Sequence, residues 1–197
     1  GWYGTDVNGN RKESLAAASN WAVSGNLTVA GNTTLGDAAA DSLTVNAGVY
    51  SAPNQPAFLA YNSADDTNVT GAGTSYDYIC DTEVFDQGAN YNNSTGVFTA
   101  PVTGRYHFVI RCLVQGLTTA MTQQNLELIT SNRTYAMQNV ITAPAWTQWQ
   151  FQLEVIADMD AADTAFPRIR MVNGAGDTAD VFGGSGMYTM FAGRQTN

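Results

Sequence analysis

Tyr91 to Phe108 read YNNSTGVFTAPVTGRYHF, two turns and parts of two strands in 18 positions. Thr95-Gly96 forms a tight turn, because glycine takes a positive φ at no steric cost. Phe98 lies in a short strand, Val97–Ala100, which Pro101 stops by withholding a backbone donor. Gly104 turns the chain again, and a long strand, Arg105–Gln115, follows. Alternate residues of a strand share a face, so Tyr106, Phe108, Ile110, Cys112 and Val114 line one side. The other side carries His107, Val109, Arg111 and Leu113. That is too apolar for a solvated sheet face, which normally reads polar. A strand buried on both faces lies under a second layer or against another subunit.

Similar segments surround it. Upstream, Ala57–Asn62 and Tyr76–Phe85 read as strands; downstream, so do Asn125–Thr130, Thr134–Val140, Trp149–Ile156, Arg168–Val172 and Met187–Gly193. Turn signals separate them: Gly71-Ala72-Gly73, Asn92 to Gly96, Ser131-Asn132, Asn173-Gly174 and Gly183-Gly184. Many short strands at regular turn spacing predict an all-β sandwich or barrel over residues 54–197.

Residues 24–53 have a different character. Leu27-Thr28-Val29 recurs as Leu43-Thr44-Val45 with Leu35 midway, so apolar residues return every eight positions between Gly, Asn and Asp turn signals. A unit with one or two apolar side chains cannot bury them alone, but three chains wrapped on one axis can. This predicts an extended trimeric β-repeat stalk, similar to the shafts of viral fibres and trimeric adhesins. Residues 1–23 hold the only helical pattern, starting near Asn10 and running through Glu13, Leu15 and Trp21. They read either as a frayed end or as a short docking segment anchored by Trp2, Tyr3 and Trp21. The first residue is Gly1, not Met, so the chain is expected to be a processed or truncated product.

Composition narrows the functions. Charged residues are 13% of the chain, and 8 Lys plus Arg face 17 Asp plus Glu, for a net charge of −9. Phosphate backbones need clustered cations, so nucleic acid is excluded as a partner, and no apolar run is long enough for membrane insertion. Two cysteines, Cys80 and Cys112, sit among aliphatic neighbours as small hydrophobes and are read as free thiols.

The 91–108 segment resembles the signature of the globular domain in the q subunit of the first complement component. Tyr91, Asn92, Thr95, Gly96, Phe98, Pro101, Gly104, Tyr106 and Phe108 all match it. Ala57–Tyr61 resembles that family's opening strand, Val84-Phe85-Asp86 the segment before the signature, and Thr189–Gly193 its closing strand. Two positions depart from the pattern: Ala100 stands where many members have Cys, and Arg194 where an aromatic or aliphatic residue is usual. No collagen repeat precedes the domain. The resemblance implies a complement-q/tumour-necrosis-factor-like jelly-roll knob in which Arg105–Gln115 belongs to an inner sheet. One face of that strand would lie in the core and the other, with His107, Val109, Arg111 and Leu113, toward the threefold axis of a homotrimer.

No catalytic constellation stands out. The single histidine, His107, is mid-strand among apolar residues and reads as an interface or core residue. Cofactors are not expected. Asp158, Asp160 and Asp163 read as a solvated acidic turn, and no metal site is assigned. Trp149 and Phe151 alternate with Gln148, Gln150 and Gln152 and are expected in the core, whereas Trp146, beside Pro144, is the candidate ligand contact. The connections Ser63–Ser75, Gly116–Gln124, Thr142–Thr147, Asp158–Pro167 and Asn173–Ser185 are expected to carry specificity. The chain therefore reads as a non-enzymatic homotrimeric appendage of a bacteriophage virion, a fibre or head/tail decoration. Its N-terminal segment would meet a capsid or tail protein, and its knob a host cell-surface glycan or protein. A secreted bacterial or host adhesin or lectin of the same fold is the second reading, and a polysaccharide depolymerase a distant third.

Overall fold

The computed structural model describes residues 4–5, 11–12, 28–31, 33–34, 42–46, 48–49, 51–140 and 147–196. The chain forms two compact units, Gly1–Tyr50 and Ser51–Asn197. In the first, β1 (Gly4–Thr5) pairs antiparallel with β2 (Arg11–Lys12). This corrects the helix read over residues 1–23 at Arg11 and Lys12, where cross-strand hydrogen bonds replace intrahelical ones; the remainder of that helix lies outside the described residues. Among the repeat positions, Leu27 and Leu35 also lie outside them. Val29, Leu43, Val45 and Val49 are exposed, Val49 at 83%.

The second unit is a two-sheet jelly roll. Its strands are β3 (Ala57–Tyr61), β4 (Asp66–Thr70), β5 (Ser75–Asp77), β6 (Thr82–Gln87), β7 (Tyr91–Asn92), β8 (Val97–Thr99), β9 (Gly104–Gln115), β10 (Gln123–Thr130), β11 (Thr134–Val140), β12 (Gln148–Met159), β13 (Thr164–Val172), β14 (Ala179–Val181) and β15 (Met190–Gln195). One sheet runs β11-β10-β13-β8-β7, with β5 also on β13. The other runs β6-β3-β15-β9, with β12 on the far side of β9; β14 joins the end of β9 and carries β4. Among the described residues no helix is long and apolar enough to cross a membrane.

Period-two patterning placed most strands, and β9 alternates buried and half-buried residues along its length. One expected strand is corrected: Tyr76–Phe85 is two strands in different sheets. Between β5 and β6 the chain crosses the interior, burying Tyr78 and Cys80. Tyr91 Oη donates to the Cys80 carbonyl at 2.9 Å, which gives that crossing backbone group a polar partner, and the Tyr78 hydroxyl donates to the Arg111 carbonyl of β9 at 3.3 Å. Three short strands of this unit went unread, β4, β7 and β14. The polar segment DTNVT of β4 carries no hydrophobic alternation, and β14, three residues long, is too short to show one although Ala179 and Val181 are buried.

The core is an aromatic cluster. Phe58 stacks on Tyr91 at 4.7 Å and on Phe98 at 5.1 Å, and meets Phe191 edge-on at 4.8 Å. Phe98 in turn meets Phe108 at 5.5 Å. Gly96 takes the positive φ its turn requires, 73°. The ends of the unit meet: Gln195 N donates to the Pro56 carbonyl at 3.0 Å and Thr196 N to that of Arg105 at 2.9 Å. Cys80 and Cys112 are both buried and unbridged, and burial pushes both thiols up.

Gly193 is where this packing leaves no room. A Cβ there would lie 2.6 Å from ring carbons of both Phe108 and Phe58, two rings with nowhere to move. Gly193→Ala should therefore destabilise the unit by about 1–3 kcal/mol, the usual penalty of overpacking. Chemical denaturation with tryptophan fluorescence measures it, and an unchanged midpoint would refute the argument.

Candidate functional site

The sheet that contains β9 presents an outward face built from rows of cross-strand neighbours. One row is Ala57, Arg194, His107 and Ile156; the next is Phe85, Leu59, Ala192, Val109 and Glu154; the third is Tyr61, Met190, Arg111 and Gln152. Val109, Leu59 and Ala192 are half-buried, with no layer above them among the described residues. They line an apolar depression of about 380 Å³ with Phe85 and Met190, and His107 and Arg194 give it a polar rim. His107 Nε2 lies 2.6 Å from Glu154 Oε1. Arg111 Nε donates to Gln152 Oε1 at 3.3 Å.

The opposite sheet differs. Its outward face carries Arg168, whose Nε and Nη2 grip the two Asp77 oxygens at 2.5 and 3.1 Å while the guanidinium stands over the Phe166 ring at 5.7 Å. The Asp77 hydrogen bond draws the Arg168 pKa up. Glu127 is the cross-strand neighbour of Arg168, and Asn125 that of Arg170. A face whose charges are matched within the chain is content in water. The β9 face leaves apolar area uncovered, a property associated with interaction surfaces.

His107, Val109, Arg111 and Leu113 thus share one face, as their spacing predicted. Sequence reasoning missed Leu59, Phe85, Ala192, Glu154 and Ile156 as parts of it. For the last two, the alternation Gln148, Gln150, Gln152, Glu154, Ile156 was the available signal. Trp146 lies outside the described residues. Trp149 corrects an expectation: it is on the inner side of β12 and stacks on Phe151 at 6.5 Å, but it sits at the strand end and stays 45% exposed, while Phe151 is buried.

The connections gather at two ends. The Ser63–Ser75, Gly116–Gln124 and Asn173–Ser185 regions meet at the end where β9 finishes, away from Pro56 and Thr196. Thr142–Thr147 is described only at Thr147, whose carbonyl accepts from Leu117 N at 3.0 Å. Asp158–Pro167 is at the opposite end and is mostly strand, with only Asp160–Asp163 turning. There Asp163 Oδ2 accepts from Asn132 Nδ2 and Asp160 N, so its carboxylate fastens the turn. At the β9-finishing end, carboxylates do the same for several loops. Asp65 accepts from Gly183 N at 2.8 Å, Asp81 from Ser63 N at 2.9 Å, and Asp177 from Ala72 N at 2.9 Å.

The sequence profile of the C1q domain matches residues 57–193. Among solved structures, the globular domain of the zebrafish complement 1qA protein is similar in fold at a TM-score of 0.50 and 14% identity, covering 73% of this chain and 98% of that one. Murine APRIL at pH 5.0 gives 0.49 and 10% identity, covering 72% and 98%. A search of curated protein sequences finds no match.

The carboxylate fastenings have a pH signature. Hydrogen bonds from Thr74 and Ala72 hold Asp177 below its ordinary 3.8. At Asp81 burial pushes upward, but hydrogen bonds from Ser63 and Thr82 outweigh it and the net shift is also downward. A lowered carboxylate stabilises the fold above the unfolded pKa, and that stability is lost as pH falls through the folded value. Asp66 works the other way, because burial raises it. Going from about pH 6 to about pH 3 should therefore loosen the Ser63 and Ala72 amides before the aromatic core opens. Hydrogen exchange read by mass spectrometry after quenching checks it; simultaneous loss of protection at loops and core would contradict it.

Proposed function

This chain belongs to the C1q domain family across residues 57–193, and on that premise we propose that it is a non-enzymatic homotrimeric appendage of a bacteriophage virion whose knob binds a host cell-surface glycan or protein. The observation that carries the reading is the uncovered apolar face of the β9 sheet, with His107, Val109, Arg111 and Leu113 along its central strand. Three copies of that face turned toward one axis bury it without a further partner, and closed cyclic assembly is the ordinary way to satisfy such a surface.

The stalk and docking segment support the appendage part. Exposed Val29, Leu43, Val45 and Val49 are poor solvent residues but good neighbours for two more copies of themselves. Residues 24–53 act as the stalk and residues 1–23 as the contact with a capsid or tail protein. The loops fastened by Asp65, Asp81 and Asp177 form the receptor-facing surface, since they lie at the end of the knob away from Pro56. Trp146, in the connection between β11 and β12, supplies a stacking face for a sugar. Weak contacts repeated three times on one axis gain useful avidity.

Light scattering on the full chain should give about three times 21.0 kDa. Val109→Asp should return it to a monomer of native secondary structure, because three like charges would be buried near the axis. The binding role is tested by incubating the purified chain with candidate host cells and challenging them with the parent particle. Cell binding and blocked adsorption are expected; a trimer that neither binds nor competes would leave a stabilising role in place of receptor recognition.

A further inference from the structure

A threefold ring is built from heterologous contacts, in which two different patches of the same subunit meet. The β9 face has two such patches. On the β3 and β15 side lies the apolar depression, rimmed by His107 and Arg194. On the β12 side one large apolar side chain stands out: Ile156 is 59% exposed although it directly opposes His107 in the sheet. Its neighbours on the same face are acidic, Glu154 and Asp158, and the Glu154 side chain is 57% exposed. β12 pairs only with β9 among the described residues, so this flank is a free edge of the sheet.

We infer that Ile156 of one subunit inserts into the depression of the next, with Glu154 and Asp158 set against the Arg194 rim of that neighbour. The occupant of the depression is thus a second copy of this chain, chosen by shape and charge together. The rows support the match. Ile156, His107, Arg194 and Ala57 are consecutive partners across four strands, so they stand at one height along the sheet. A ring closed about an axis running along the strands keeps that height, which brings Ile156 level with the mouth of its neighbour's depression. The apolar knob would be seated by burial, and the acidic flank against the cationic rim would fix which edge meets which face.

This inference rests on the trimeric reading, and cross-linking separates the two. Within one chain Ala57 and Ile156 are three strand spacings apart, about 14 Å. A disulfide needs Cα atoms within roughly 4.4–6.8 Å, so a bridge between Ile156→Cys and Ala57→Cys can form only between subunits. Mild oxidation of the double variant should give linked dimers and trimers on a non-reducing gel, and neither single variant should. Ile156→Ala gives a second readout. It should weaken trimer association by about tenfold, as loss of a buried interface anchor does, while the melting temperature of the monomer stays unchanged. A double variant that remains a trimer in solution without cross-linking, or an Ile156→Ala trimer of native affinity, overturns this contact and leaves the trimer standing. A native chain that is monomeric at micromolar concentration removes both.

Discussion

Everything in the knob hangs on the contact of Phe58 with Tyr91, Phe98 and Phe191. Phe58 comes from the first strand of the unit, Tyr91 and Phe98 from the short hairpin in the opposite sheet, and Phe191 from the last strand. Each ring pair adds about 0.5–1.5 kcal/mol beyond its buried area. Their greater importance is topological. This one cluster ties the beginning and end of the unit to its middle, and it holds the two sheets at a fixed separation. Gly193 lets β15 approach closely enough for Phe191 to join. With that approach fixed, β15 lies between β3 and β9, and the outward rows of the sheet fall into register.

The same strand therefore serves two surfaces. β9 gives Tyr106, Phe108, Ile110, Cys112 and Val114 to the core, and the alternate residues to the outside. Period-two geometry makes these assignments inseparable: a slip of one residue would expose the core set and bury His107 and Arg111. The interior fixes the composition of the outward face, down to which charge stands beside which apolar group.

Much of this was legible in the residues. The turn at Thr95-Gly96, the stop at Pro101 and the alternation from Tyr106 to Val114 define the hairpin and β9 without reference to any other protein, and the family signature rests on the same positions. What stayed hidden has a common physical cause. Tyr76 to Phe85 has the composition of one strand, but Tyr78 and Cys80 are apolar because they cross the interior, and burial by crossing looks the same as burial in a sheet. β4 is polar because most of its side chains face away from the core, whereas β14 buries Ala179 and Val181 but is too short for three residues to show a period. The outward face was seen only along β9, since Leu59, Ala192 and Ile156 are brought beside it by long-range pairing that spacing along one strand cannot reveal. Trp149 misled because alternation gives the side of a strand on which a residue lies and says nothing of how close it is to the end.

The adjacency of Pro56 and Gln195 reaches beyond stability. Because the backbone arrives and leaves at neighbouring points on one pole, the unit behaves as a plug: it can be mounted on an unrelated support, or spliced into a surface loop of another protein, with little disturbance to the host backbone. An extension added after Thr196 would start beside the support and leave the far pole unobstructed. For an engineer this is a display scaffold with a ready anchoring side. In evolutionary terms, it is a shape suited to being passed between carriers, which allows the pole where the loops meet to diversify while the means of attachment stays the same.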